Sequence, residues 1–126
     1  MCIIHTALMC FNLNVIPLLN AIAQVESGNG KFSKNIYQIS DIYIDDVNRI
    51  LGRKEFTYDD KYDVEKSVEM MVIYWGRYGS IYESKTGNAV SYSVLARIHN
   101  GGPDGWKKYA TKRYAKRVMN LMEEKK

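Results

Sequence analysis

Glu26 is the side chain in this sequence best placed to move a proton. It closes an apolar stripe in which Leu19, Ile22 and Ala23 precede it by seven, four and three residues, so all four share one helix face. That face belongs against a core, yet its last member is a carboxylic acid. Taking a carboxylate out of water disfavours its charged form and raises its pKa, which suits a proton donor near neutral pH. Ser27, Gly28, Asn29 and Gly30 follow at once. The plainer outcome of the same pattern is a helix that simply ends, with Glu26 turned to water.

The elements that must hold this acid are legible from caps and breaks. A first helix opens near Asn14, with Pro17 in its first turn, carries Ile16, Leu19, Ile22 and Ala23 inward, and stops at Gly28 and Gly30. Residues 27 to 37 read as an irregular loop, and a small hairpin fits within 27 to 40. Ser40 or Asp41 caps a second helix, with Val47, Ile50 and Leu51 on one side and Gly52 at its end. Residues 52 to 62 connect to a third helix that Asp63 caps. Its predicted buried face is Val64, Val68, Met71, Val72, Trp75 and Tyr78, and Gly79 is its predicted stop. A turn is expected at Thr86-Gly87-Asn88. Ser91 or Ser93 begins a short helix with Val94, Leu95 and Ile98, broken at Asn100-Gly101-Gly102-Pro103. Thr111 caps the last helix, which turns Tyr114, Val118, Leu121 and Met122 inward and Lys112, Arg113, Lys116 and Arg117 outward.

The 126 residues match one ordinary domain, and 46% hydrophobic with 25% charged residues excludes a disordered chain. The expected fold is mainly α, with a small β-hairpin near residues 27–40 as its only place for strands. Residues 1–14 form an apolar N-terminal segment, read as a docked segment or a degenerate leader, and residues 15–126 form the domain. That segment is too short and interrupted to span a membrane. Cys2 and Cys10 make no disulfide framework and no zinc site, and read as small buried thiols. A net charge of +4 favours anionic partners. No metal and no organic cofactor is expected, and neither a Walker loop nor a Cys-x-x-Cys pair is present.

Three segments carry residues that packing alone does not require. They are Glu26-Ser27-Gly28, Tyr37-Gln38-Ile39-Ser40, and the run Ala96-Arg97-Ile98-His99-Asn100-Gly101-Gly102-Pro103. In this order, on short helices, they resemble the lysozyme-like superfamily, most of all soluble-lytic-transglycosylase-type domains and goose-type lysozymes. The stretches Asp46 to Gly52 and Tyr62 to Ser67 resemble a bacterial and phage branch of it. The resemblance covers roughly residues 15 to 122. It implies a lysozyme-like domain that cleaves the β-1,4 bond between N-acetylmuramic acid and N-acetylglucosamine in peptidoglycan. Glu26 matches the catalytic acid. Ser27 matches a residue near the substrate acetamido group, and Gln38 and Ile39 match the segment lining the cleft. Asn100 and Gly101 match the turn that closes its floor. Two places depart from the pattern: Asn35-Ile36-Tyr37-Gln38 replaces a Gly-x-x-Gln run, and His99 stands where an aromatic Tyr or Trp is usual.

Cleavage by two carboxylates needs a second acid across the scissile bond. Asp41 is the candidate, followed by Asp45 and Asp46, although Asp41 also reads as a helix cap. Without such a partner, a single-glutamate lyase route is expected. His99 is either a stacking, hydrogen-bonding and titrating side chain or a partly buried histidine at a helix end. Tyr37, Tyr92 and Tyr109 are candidates for stacking on sugars. The expected partner is the peptidoglycan glycan strand, with no nucleic acid, no membrane span and a monomeric chain. The place of action would be the cell wall, whether periplasmic, extracellular or virion-delivered. Two rivals remain: a catalytically weakened glycan-binding module, and a nucleic-acid binder using the basic, tyrosine-bearing stretch from Lys107 to Arg117.

Overall fold

The computed structural model describes residues 8–124. Its helices are α1 (Ile16–Ser27), α2 (Asp41–Leu51), α3 (Val64–Thr86), α4 (Tyr92–Gly101) and α5 (Thr111–Glu124). Short 3₁₀ turns occupy Tyr58–Tyr62 and Gly105–Lys107. The domain is therefore mainly α, with one small hairpin.

Sequence signals place most of the boundaries. The Asn14 side chain accepts from the Ile16 N–H, and Pro17 lies in the first turn of α1. Gly28, at φ 61°, adopts the left-handed conformation that closes α1, with its N–H on the Gln24 carbonyl. Ser40 caps α2 by accepting from the Tyr43 N–H, Asp63 caps α3 from Lys66, and Ser91 caps α4 from Val94.

Two expectations change. The hairpin does not lie in residues 27–40. It pairs β1 (Met9–Cys10) with β2 (Leu13–Asn14), antiparallel, across a turn in which Phe11 and Asn12 both have positive φ. Gly79 does not stop α3 either. A Cβ there would come within 2.7 Å of the Phe11 ring, so the glycine makes room for the hairpin tip, and the helix runs on to Gly87 at φ 72°. Residues 8–14 thus pack on the helical body, and the Val15 N–H donates to the Leu8 carbonyl. Cys10 is a buried free thiol whose pKa burial pushes up to about 11. Cys2 lies outside the described residues.

The core gathers Leu18, Leu19 and Ile22 of α1 with Met70, Met71 and Trp75 of α3 and Leu95 and Ile98 of α4. Helix α5 packs on both α4 and α1, while α2 and α4 pack on α3. The Trp75 indole donates to the Leu95 carbonyl at 2.9 Å, which satisfies its one polar atom inside the core. This arrangement brings the end of α1, the start of α2, the end of α4 and the start of α5 together. Among the described residues, no helix is long and apolar enough to cross a membrane.

Candidate active site

Glu26 occupies the last turn of α1, and its side chain is 17% exposed. The Tyr114 hydroxyl, from the first turns of α5, donates to Glu26 Oε2 at 2.9 Å. Burial raises the Glu26 pKa above the ordinary carboxylate range, and the Tyr114 hydrogen bond and the Arg117 charge pull part of it back. The outcome left open by the sequence, a carboxylate turned to water, is not the one adopted.

His99 is the second member of the cluster. Its Nε2 lies 2.8 Å from the Tyr37 carbonyl oxygen, which can only accept, so Nε2 carries the hydrogen. Nδ1 then accepts from the Tyr43 hydroxyl at 3.1 Å. Burial pushes the His99 pKa down to about 4, leaving the ring neutral at pH 7. Glu26 Oε2 lies 3.7 Å from Nε2, so the contact is between a carboxyl and a neutral N–H, not an ion pair. Titration near neutrality, expected from the residue type, is thereby corrected. The histidine is buried at the end of α4, with 7% of its surface left at a cleft.

The loop after α1 is fastened from within. The buried Ser27 hydroxyl donates to the Ile36 carbonyl at 2.7 Å and accepts from the Gly30 N–H at 2.9 Å. With that commitment it braces the loop instead of facing an acetamido group. Asn35 mimics a strand: its Nδ2 donates to the Ile39 carbonyl and its Oδ1 accepts from the Ile39 N–H. Ile39 is fully buried core and lines no cleft. Gln38 is exposed, but its φ of 53° and its Nε2 bond to the Asn35 carbonyl aim the side chain back along its own loop.

The carboxylates of α2 do not join Glu26. Asp41 is exposed and paired with Lys61, so it is not placed as a second carboxylate, and the cap of α2 is Ser40. Asp45 accepts from the Tyr58 hydroxyl at 2.8 Å. Asp46 is buried, paired with Arg49, and accepts from the Tyr78 hydroxyl at 2.6 Å. No carboxylate figures among the causes of the Glu26 shift.

Asp46 does border a cleft of about 250 Å³ with Tyr43, Tyr74, His99, Asn100 and Pro103. The Tyr43 and Tyr74 rings stack at 3.8 Å and give it an aromatic wall. Asn100 is exposed there. Gly101 instead faces Thr111, whose Cγ2 would lie 2.5 Å from an added Cβ, so its smallness serves the approach of α4 to α5. Gly102 is the glycine in the cleft lining. Glu26 is not a lining residue and meets the cleft through His99. Of the stacking candidates, Tyr37 is buried, Tyr92 donates to the Asn14 carbonyl, and Tyr109 is 83% exposed beside Lys112. Of the site tyrosines, spacing placed Tyr114 on an inward face without giving it a role in the site, and did not single out Tyr43 or Tyr74. Their signal is a ring on an inward helix face whose hydroxyl then needs a partner.

Among the described residues, no group of three His, Cys, Asp or Glu side chains is arranged to hold a metal ion. A scan against protein-family models and searches of curated proteins and of solved structures found no match to this chain.

Proposed function

We propose that this protein cleaves the glycan strands of peptidoglycan at the MurNAc–GlcNAc β-1,4 bond, with Glu26 as its single catalytic carboxyl group. The observation that carries this reading is the state of Glu26: shielded, raised in pKa, free of any cationic ion-pair partner among the described residues, and held by one neutral hydroxyl. Such a group keeps its proton to higher pH than a surface glutamate and can give it to a glycosidic oxygen. The one hydrogen bond from Tyr114 and the nearby neutral His99 ring orient it, and burial outweighs the lowering that the Tyr114 bond exerts.

In the reaction, Glu26 protonates the bridging oxygen as the C1–O bond of the muramyl residue breaks. The resulting carboxylate then takes the proton of the muramyl 6-hydroxyl, whose oxygen bonds to C1. A 1,6-anhydro end forms, no water is consumed, and Glu26 regains its proton. The commitment of Asp41 to Lys61 and of Asp46 to Arg49 and Tyr78 favours this lyase route over hydrolysis by two carboxylates. The net charge of +4 assists approach to an anionic wall.

A second reading has its own observation. The aromatic cleft of Tyr43, Tyr74 and Asn100 is separated from Glu26 by His99, as in a module that holds glycan without cutting it. Incubating the protein with purified sacculi decides between them. Loss of turbidity with anhydro-muropeptides in the mass spectrum supports the lyase. Retention on the pellet without turbidity loss supports the binding module. Hydrated reducing ends alone would replace the lyase with a muramidase.

A further inference from the structure

Helix α2 borders a second cleft, of about 390 Å³, on the face next to the one described above. It is lined by Asp45 and Asn48 of α2 and by Lys54, Phe56, Thr57 and Tyr58 of the loop that follows. Asn48 builds its wall with most of its amide, keeping one Nδ2 hydrogen uncommitted. Its Oδ1 accepts from the N–H groups of Glu55 and Phe56, and its Nδ2 donates to the Phe56 carbonyl. Phe56 and the half-exposed Tyr58 supply apolar surface. Tyr58 also donates to Asp45 Oδ1, which leaves Oδ2 open.

Two charges in this lining neutralise nothing within the protein. Among the described residues, Lys54 has no ion-pair or hydrogen-bond partner and Asp45 has no cationic one. A neutral sugar needs neither charge, and a polyanion would be repelled by Asp45. A ligand with one amine, one carboxylate and an apolar body between them satisfies both. We propose that this cleft binds a short peptide carrying a free side-chain amine and a free carboxylate. Resting on the function proposed above, that peptide is the stem that branches from the glycan.

The spacing is compatible. Ile42, Tyr43 and Asp46 face the first cleft, and Asp45 and Asn48 face the second, so the two lie on adjoining faces of one helix. A helix with its side chains is about 10–12 Å across. An extended peptide of three or four residues reaches about 10–14 Å. A stem rooted at a sugar in the Tyr43 cleft can therefore cross the ridge of α2 and place its diamino residue beside Asp45 and Lys54.

The test is an NMR titration of the full chain with a synthetic stem tetrapeptide, N-terminally acetylated, with a diamino acid third. A second titration uses the same peptide with its side-chain amine acetylated, and a third uses chitotetraose. Saturable shifts at the amides of residues 48 and 54–58 are expected, with affinity at least tenfold weaker in Lys54→Gln, in Asp45→Asn and for the acetylated peptide. The response of Tyr43 and Asn100 to chitotetraose should stay the same in both variants, which also reports that they fold. No response to the peptide at these amides, or a response untouched by both variants, overturns the proposal. Peptide binding in a protein that leaves sacculi intact would uphold this site and reject the enzymatic reading. Lysis by a protein blind to the peptide would do the reverse.

Discussion

Replacing Tyr114 with phenylalanine isolates the bond that tunes the acid. The substitution keeps the ring and removes one hydroxyl, hence the 2.9 Å bond to Glu26 Oε2. A hydrogen bond to a charged group contributes about 1.5–3 kcal/mol, and one to a neutral group about 0.5–1.5 kcal/mol. The loss in stability should therefore depend on the protonation of Glu26. Because the folded-state pKa of Glu26 is raised, its contribution is fully present below the unfolded value and is lost as pH rises through the folded one. Tyr114 limits that loss by favouring the anion. Tyr114→Phe should thus be destabilised more at pH 8 than at pH 4, by a margin of about 1–2 kcal/mol in urea denaturation. In a Glu26→Gln background the margin should vanish, since glutamine carries no charge at either pH. The alkaline limb of the lysis profile should move to higher pH, because the acid then holds its proton longer. An equal loss at both pH values, undiminished by Glu26→Gln, would refute the coupling.

Three further outcomes follow from the geometry. His99 is held at about 4 against 6.5 in the unfolded chain, so the stability it contributes is complete above pH 6.5 and is lost as pH falls towards 4, by at most about 3 kcal/mol; an imidazole that NMR finds titrating near 6.5 would contradict its buried, neutral state. Gly105→Ala should lose about 2–3 kcal/mol in denaturant melts, because the new Cβ would lie 2.1 Å from the Arg97 carbonyl oxygen. Asp41→Asn should leave the rate of sacculus clearing within twofold of wild type, since its carboxylate serves Lys61; a collapse in activity would restore Asp41 as a second carboxylate.

Local chemistry was readable wherever one side chain acts on its own backbone. Ser40, Asp63 and Ser91 as caps, and Gly28 and Gly52 as stops, are of this kind, and all five take those roles. Gly79 shows where such reading ends. It has the residue type of a helix stop, but the reason for it is the Phe11 ring, 68 residues earlier in the chain. The hairpin escaped for a related reason, because its left-handed turn is built from Phe11 and Asn12 and not from glycine. In the site, the apolar stripe singled out Glu26 as the acid to examine but left open whether it is shielded or turned to water, and packing of α5 on α1 decides for shielding. The partners of Glu26 and His99 did not emerge, because Tyr43 and Tyr114 meet them across 56 and 88 residues, and periodicity carries no information about which helices face each other. Ser27 and Ile39 were assigned to substrate by position in a motif, whereas burial gives them to the loop and the core.

The central claim is that one carboxyl group on α1 donates the proton that breaks the glycan. Its most direct test is the clearing of purified sacculi by wild type and by Glu26→Gln, with folding checked by denaturation at pH 7. The account predicts no clearing by the variant and a stability equal to or above wild type, since a raised pKa means that the ionised acid is held at a cost. Full clearing by a folded Glu26→Gln protein would contradict it.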